Sequence, residues 1–340
     1  FASLAVHDPA DDRFDIVGVM GPDEYHDGYP DTPGQGLRNN AYTNVLAAWV
    51  LRRAQEAVAL LAHRDCEQLW RRLQLDPEEP AYWRRVSSRL RVPFHDGVIS
   101  QFEGYGELAE FDWDRYRSRY GNIGRLDLIL QAEGDTTNRY KLSKQADVLM
   151  LFYLFSAEEL RAVFAELGYE LPPEMIVRTV GYYLTRTSHG STLSRLAHGW
   201  VLARTDRPRS WSLFTEALQA DLADTQGGTT REGVHIGAMA GTADMVIRCY
   251  GGVETRGDVL WLHPVLPAEL TEASFRLRYR GQPISVDLTQ HRARLHLQPC
   301  SAAPVELCVE GIEKTLNSGE VWEVPLTSEP PRAGTTEMKT

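Results

Sequence analysis

The sequence lacks the features that mark membrane, zinc and nucleic-acid-binding proteins. No apolar run reaches the ~18 residues that a membrane-spanning helix requires. The four cysteines are scattered with no CxxC pair, which argues against a zinc site and a disulfide framework. Acidic residues outnumber basic ones by 47 to 36, and no basic stripe that would bind nucleic acid is present. These absences predict a cytoplasmic protein without a membrane or nucleic-acid partner.

The start of the chain also lacks the features of a translation start or a secretion signal. It begins at Phe1, without an initiator methionine, a basic leader or a signal-like apolar segment. We therefore expect it to be a processed chain or a part of a longer one. Its 340 residues, 43% of them hydrophobic, are nevertheless enough for roughly two globular domains.

The sequence up to about residue 252 has mostly helical periodicity. The clearest helix is predicted at 41–61, where Val45, Trp49 and Val58 recur on one face and Asn39 or Asn40 is a natural N-cap. Further helices are predicted at 80–90, 144–155, 157–167, 173–185, 193–203, 207–222 and 236–250. Such a succession of medium-length helices is typical of a helical barrel or array.

After residue 252 the period changes from helical to two. Phe275, Leu277 and Tyr279 alternate with arginines, and a second alternating run follows a turn expected at 281–283. Alternation bounded by glycine and proline predicts an antiparallel β domain, most simply a sandwich. We therefore divide the chain into a helical domain at 1–252, a β-sandwich at 253–326 and a polar tail at 327–340.

Two stretches carry the strongest chemical signals. The segment GPDEYH, at 21–26, places two carboxylates after a short apolar strand, and Glu24 fits a general acid if its pKa is raised by burial. The segment SHGSTLS, at 188–194, combines hydroxyls, an imidazole and a helix start, which together form an anion receptor. The plain alternatives are a surface turn for the first segment and helix capping by Ser191 or Thr192 for the second.

Three weaker stretches are also chemically suggestive. EGVH ends at His235, just before a predicted helix; KQAD begins at Lys144 and Gln145; QFEGY forms a polar and aromatic loop at 101–105. A ligand-facing histidine and sugar-binding side chains are one interpretation, while structural anchoring is the more common role for each.

Taken together, these stretches resemble glycoside hydrolase family 65. The resemblance rests on VGVMGPDEYH, NNAYTNVLAAWVL, QFEGY, KQADVLMLFYLF, SHGSTLS, EGVHIGAMAGT and GGVETRGDVLWLHPVLP, in that order. The family includes inverting phosphorylases of maltose, trehalose and kojibiose, together with hydrolases. The resemblance implies a partial (α/α)6 barrel followed by a small antiparallel β-sandwich, because family members are considerably longer at the N-terminus.

The resemblance also implies roles for individual residues. Glu24 matches the general acid, and Lys144 and Gln145 match residues that hold the glucosyl unit. His189, Ser191 and Thr192 match the phosphate loop, and His235 matches a further phosphate ligand. The implied reaction is attack of phosphate on an α-glucosyl disaccharide with inversion, without a metal or a cofactor other than phosphate as co-substrate. The Glu24 site should then be apolar or crowded with negative charge, so that the carboxyl is protonated.

Two other interpretations stay open. A trehalase-like hydrolase of the same family needs a carboxylate base, for which Asp224 and Glu232 are the nearest candidates in sequence. An inactive or incomplete fragment is the other, because half a barrel exposes apolar helix faces. The family resemblance is also compatible with a homodimer. The identity of the disaccharide does not follow from the sequence.

Overall fold

The computed structural model describes residues 1–61, 63–225 and 228–326. The predicted tail at 327–340 lies outside these ranges. The chain forms two compact units, Phe1–Ala197 and His198–Thr340. No helix in the described ranges combines the length and the apolar character needed to cross a bilayer.

The first unit contains two small sheets. The strands are β1 (Ala5–Asp8), β2 (Arg13–Val19), β3 (Leu37–Arg38), β4 (Phe94–His95) and β5 (Val98–Ile99). β1, β2 and β3 form one antiparallel sheet in that order, and β4 pairs with β5. The connection between β2 and β3 contains the GPDEYH segment, which is thus a long loop leaving a sheet whose central strand is buried at Ile16.

Nine helices of the first unit are described. They are α1 (Ala41–Leu60), α2 (His63–Leu73), α3 (Glu79–Ser87), α4 (Trp113–Tyr120), α5 (Leu126–Ala132), α6 (Asp147–Leu154), α7 (Ala157–Glu166), α8 (Pro173–Leu184) and α9 (Thr192–Leu202), the last of which continues into the second unit. The main core includes Val45 of α1, Leu149 of α6 and Phe164 of α7, all fully buried.

Helix α1 forms where the periodicity predicts it. The side chain of Asn40 accepts a hydrogen bond from the backbone N–H of Thr43, so Asn40 rather than Asn39 is the N-cap. Asn39 instead donates to the carboxylates of Asp15 and Glu103. Asn40 therefore caps the helix, while Asn39 binds the β2 strand through Asp15.

Three helices of the first unit were not predicted. These are α2, α4 and α5. α2 and α4 are rich in charged residues and have low overall hydrophobicity, but apolar side chains recur at helical spacing in both, as at Leu69, Trp70 and Leu73 of α2, a signal that the sequence analysis did not use. α5 is only seven residues long. Short or polar helices depend on tertiary contacts more than on an apolar stripe.

The second unit combines helices with two β-sheets. It contains α10 (Arg207–Leu218), α11 (Ile236–Asp244) and a π-helical turn at Met245–Tyr250. The strands are β6 (Val253–Arg256), β7 (Val259–Leu262), β8 (Glu272–Tyr279), β9 (Gln282–Thr289), β10 (Arg292–Leu297), β11 (Val305–Val309), β12 (Ile312–Leu316) and β13 (Val321–Pro325). The two four-stranded sheets have the orders β13-β10-β9-β8 and β12-β11-β7-β6.

The predicted alternation reappears in β9, where Ile284, Val286 and Leu288 are buried and the intervening residues are partly exposed. The turn lies slightly earlier than expected, because Tyr279 pairs with Gln282. Its two central residues, Arg280 and Gly281, both have positive φ, as a tight hairpin requires. One pair, β7 with β11, is parallel, which departs from the all-antiparallel expectation.

Candidate active site

The loop after β2 presents one exposed carboxylate between buried neighbours. Glu24 has φ +65°, in the left-handed region, and its side chain is 62% exposed. Asp23 and Tyr25, on either side, are 2% and 4% exposed. A strained backbone of this kind costs roughly 1–3 kcal/mol and persists only where surrounding contacts hold it. The buried neighbours provide such contacts and leave the Glu24 carboxyl accessible.

Asp23 is the main anchor of this loop. Its Oδ1 accepts from the backbone N–H groups of Lys144, at 2.5 Å, and Gln145, at 3.3 Å. Its Oδ2 accepts from Gln101 Nε2 at 3.0 Å and lies 3.2 Å from His26 Nδ1. Three N–H donors and the His26 imidazole surround one buried carboxyl group, which joins the GPDEYH, QFEGY and KQAD segments. The sequence analysis singled out all three segments but did not predict that Asp23 connects them.

Lys144 and Gln145 both contact the loop that carries Glu24. Lys144 Nζ lies 2.8 Å from Glu24 Oε2, and Gln145 Nε2 donates to the Pro22 carbonyl at 2.6 Å. The structure therefore brings together the predicted acid and the two predicted sugar-binding residues. An ion pair this exposed contributes only about 0–1 kcal/mol, so a bound ligand can replace it at little cost.

The immediate surroundings of Glu24 differ from the expected apolar or acidic environment. The Glu24 carboxyl forms an ion pair with the ammonium group of Lys144, and more than half of the Glu24 side chain is exposed. The physical reason lies in the loop itself: the burial falls on Asp23 and Tyr25, whose side chains point into the unit while Glu24 points out of it.

Gly190, in the predicted anion loop, packs directly against the loop of the predicted acid. Its N–H donates to the Lys144 carbonyl at 3.1 Å. A Cβ added to Gly190 would lie 2.1 Å from the Gly124 carbonyl oxygen and 3.0 Å from both Lys144 Cγ and Tyr25 Oη. Real Cβ atoms do not approach a backbone oxygen so closely, so only glycine fits here.

Tyr25 links the same segments through its hydroxyl. Tyr25 Oη donates to the Gly124 carbonyl at 2.9 Å, accepts from the Leu126 N–H at 3.2 Å and lies 3.1 Å from Ser188 Oγ. Burial raises the pKa of Tyr25 to about 12, so the hydroxyl keeps its proton at neutral pH. The residue after Glu24 thus contacts the residue before His189.

The three predicted phosphate-loop residues lie where α9 begins. His189 has φ +55°, and its Nδ1 lies 2.9 Å from Ser194 Oγ. Ser191 Oγ accepts from the Leu193 N–H at 3.3 Å, which is a capping contact, and Thr192 is the first residue of α9. Helix capping and anion binding are compatible, since both use the same end of the helix dipole. Their phosphate role stays a prediction.

His235 belongs to the second unit. Its Nδ1 lies 2.6 Å from Asp221 Oδ1, and its backbone N–H donates to Asp221 Oδ2 at 2.9 Å. The hydrogen bond from His235 is the main cause that lowers the pKa of Asp221. The carboxylate thereby fixes the orientation of the imidazole, with Nε2 on the opposite side, 3.4 Å from Thr229 Oγ1. The proposed phosphate contact of His235 stays a prediction.

Two further features bear on ligand binding. A cavity of about 590 Å³ in the first unit is lined by Arg38, Phe94, His95 and Glu103 among others. Glu103 and Gly104 belong to the QFEGY stretch, whereas the residues predicted as acid, glucosyl-binding and phosphate-binding do not line it. Within the described ranges, no group of three or more His, Cys, Asp or Glu side chains has an arrangement that could hold a metal. The metal-free scheme therefore stays a prediction.

Family profiles match both parts of the chain. The profile described as the glycosyl hydrolase family 65 central catalytic domain matches residues 1–244, and that of the family's C-terminal domain matches residues 253–316. Together they cover most of the sequence.

Curated relatives are much longer than this chain. An uncharacterized glycosyl hydrolase of Mycobacterium tuberculosis is 50% identical over 324 residues, which are 95% of this chain and 24% of the relative. The trehalose 6-phosphate phosphorylase of Lactococcus lactis is 36% identical over 278 residues, 81% of this chain and 35% of the relative. The chain thus spans about a quarter to a third of the length of these relatives.

A solved structure named "Putative kojibiose phosphorylase from human microbiome" matches with a TM-score of 0.77. The match covers 96% of this chain and 44% of that chain at 18% identity. It confirms the fold expected from the sequence, a partial (α/α)6 barrel followed by a β domain.

Proposed function

This chain belongs to glycosyl hydrolase family 65, and on that premise we propose that it carries the acid and the phosphate-binding residues of an inverting disaccharide phosphorylase. The substrate is an α-glucosyl disaccharide of the trehalose, maltose or kojibiose type, and the products are β-glucose 1-phosphate and a free sugar. The name of the L. lactis relative adds trehalose 6-phosphate to the candidates.

The contacts of Lys144 give the main structural support for this proposal. Lys144 contacts the Glu24 carboxyl through its ammonium group and the Gly190 N–H through its carbonyl. The acid loop at 21–26, which carries the proposed acid, and the anion loop at 188–194, which carries the proposed anion donors, therefore both contact Lys144 within one compact unit. A phosphorolytic site needs this combination, with a proton donor on one side of a sugar ring and anion donors on the other.

In the proposed reaction, a phosphate oxygen attacks the anomeric carbon as the bond to the bridging oxygen breaks. Glu24 transfers its proton to that leaving oxygen, so the free sugar departs neutral and the configuration changes from α to β. In synthesis the same carboxylate accepts the proton. Lys144 and Gln145 orient the glucosyl unit, and Lys144 exchanges its weak ion pair with Glu24 for the bound sugar.

Phosphate is held, in this proposal, by His189, Ser191 and Thr192 of the first unit. Phosphate is already anionic, so the site needs hydrogen-bond donors rather than a second carboxylate to activate water. Backbone N–H groups at the start of α9 supply further donors and a favourable dipole.

The test uses the enzyme expressed from its complete reading frame. It is incubated with each candidate disaccharide, with and without inorganic phosphate, and sugar phosphates are followed by phosphorus NMR. We expect β-glucose 1-phosphate only when phosphate is present. Release of glucose that ignores phosphate would instead identify a hydrolase of the trehalase type.

A pair of variants tests the role of Glu24. Glu24→Gln should lower kcat about 100- to 10,000-fold, the usual contribution of a general acid. Glu158→Gln, an exposed residue in the first turn of α7, is the matched control and should behave as wild type. Equal activity of both variants would contradict the assignment.

A further inference from the structure

Two buried carboxyl groups lie close to Glu24. One is Asp23, the preceding residue of the same loop, and the other is Asp147, the first residue of α6, which packs against that loop at Gly21. Asp147 is fully buried, and Asp23 is 2% exposed. The reaction proposed above uses neither group directly, so their presence needs a separate physical explanation.

Asp23 lies among hydrogen-bond donors. Both of its oxygens accept: the Lys144 and Gln145 N–H groups meet Oδ1, and the Gln101 amide meets Oδ2. In these three bonds Asp23 acts only as an acceptor, which is the role that suits a carboxylate.

The surroundings of Asp147 are different. Its Oδ2 accepts from Asn40 Nδ2 at 3.0 Å. Its Oδ1 is buried and has no hydrogen-bond partner among the described residues. A Cβ added to Gly21 would lie 1.8 Å from Asp147 Oδ2, so the acid loop rests directly on this carboxyl. One oxygen is thus used as an acceptor, and the other is available to carry a proton.

The charges that act on Asp147 also favour the neutral form. Burial, and then the charge of Asp23, raise the pKa of Asp147 well above the ordinary range for aspartate. The other titratable groups coupled to it are the phenols of Tyr42 on α1 and Tyr183 on α8, which bring no positive charge. The imidazole of His26 faces Asp23, with Nδ1 3.2 Å from Asp23 Oδ2, whereas no Lys, Arg or His side chain is paired with Asp147 in the part of the chain that the structure describes.

We propose that Asp147 is a positioning residue for Glu24 and that it acts as a neutral carboxylic acid, not as a carboxylate. It holds the backbone of the acid loop at Gly21, shortly before the strained Glu24, and so sets the direction in which the Glu24 carboxyl points. This inference rests on the proposed role of Glu24. Asp23 and Asp147 then divide the work: the charged group gathers donors from three segments, and the neutral group supports the loop from below.

Kinetics of three variants test the positioning role. Asp147→Ala removes the support and should lower kcat about 100-fold with little change in KM, because a small misplacement of a catalytic group has an effect of this size. Asp147→Asn keeps the acceptor oxygen and should recover activity to within about tenfold of wild type, the effect of one hydrogen bond. Asp23→Asn turns its amide N–H groups either toward Gln101 Nε2 or toward the backbone donors of Lys144 and Gln145, and should lose as much as Asp147→Ala.

An infrared measurement tests the neutral form without using activity. The difference spectrum of wild type minus Asp147→Asn at pH 7 should contain the carbonyl stretch of a protonated carboxyl group. Asp15→Asn is the matched control, since buried Asp15 is ion-paired with Arg91 and should show no such band.

The outcomes separate the two proposals. Phosphate-independent glucose release would overturn the proposed function, while the order of the Asp147 variants in that hydrolysis would still decide the positioning role. Equal losses in Asp147→Asn and Asp147→Ala, or the absence of the protonated carboxyl band, would overturn this inference. If Asp147→Ala does not fold, the infrared band of the protonated carboxyl and the activity of Asp147→Asn still test whether Asp147 is a neutral positioning residue.

Discussion

The β-strands of the second unit and the acid loop of the first unit reach their conformations by opposite means. In β9 and β10, every second side chain is buried, and neighbours two residues apart share a face. In the loop at 21–26, successive residues alternate irregularly between burial and exposure, and the contacts that hold them come from residues about 80 to 120 positions away. Local pattern therefore specifies the strands, whereas distant polar contacts specify the site.

The largest expected effect on stability is in the strands. Leu295, fully buried on β10, faces Val286 and Trp322 on the neighbouring strands. Leu295→Ala should lower the free energy of unfolding by about 2–5 kcal/mol, because it removes buried apolar surface and leaves a cavity. Chemical denaturation measures the change. The adjacent exposed residue gives the control: Arg294→Ala should change stability by no more than about 0.5 kcal/mol, and similar losses in both would contradict the role of alternation.

A smaller change should show the dependence of the site on distant contacts. Gly190→Ala forces a Cβ against the Gly124 carbonyl and should lower kcat/KM about 100-fold, while costing about 1–3 kcal/mol of stability. Gly181→Ala, on α8, is the control, since nothing lies within 4 Å of its added Cβ. Its free energy of unfolding should rise by up to about 1 kcal/mol, because alanine has a higher helix propensity than glycine. Full activity of Gly190→Ala would show that the two loops are not tightly coupled.

The smallest effect is expected from pH. Burial opposes ionisation of Asp15, but hydrogen bonds from Arg91 and Asn39 outweigh it and hold its pKa below the usual range. The ionised form is thus favoured by folding, so its contribution is complete above about pH 5 and is lost as the pH falls through the unfolded-state and then the folded-state pKa of Asp15. The stability difference between wild type and Asp15→Asn, measured by thermal unfolding, should be constant from pH 7 to about 5 and then shrink by roughly 1 kcal/mol in acid. A difference that grows in acid would contradict the assigned sign.

Much of the architecture could be predicted from single segments. The helix beginning at Ala41, its asparagine cap and the alternating strands β8 and β9 follow from periodicity and capping, which depend on residues close in sequence. The polar helices α2 and α4 were missed for another reason: their low overall hydrophobicity hides an apolar stripe that is short, such as Cys66, Leu69 and Leu73 in α2. The parallel pairing of β7 with β11 could not be predicted from single segments, since its partners are far apart in the chain.

The site was predictable in its parts but not in its connections. Glu24, Lys144 and Gly190 lie in segments that the sequence singles out, and their proximity is a result of the fold. Asp23 and Asp147 lie in those same segments, yet an aspartate in a loop or at a helix start usually faces solvent. Only the many donors around Asp23 and the complete burial of Asp147 distinguish them.

The family, the helical and β-strand parts, and the chemical character of the two loops follow from the amino-acid sequence, because motifs and periodicity are local properties. Folding adds what no segment shows: the GPDEYH loop rests on buried Asp147, Tyr25 contacts Ser188, and Glu24 faces outward beside Lys144. The physical reason is that burial and hydrogen bonding between distant segments depend on how the chain packs, and no local pattern encodes the partner that a polar side chain will find.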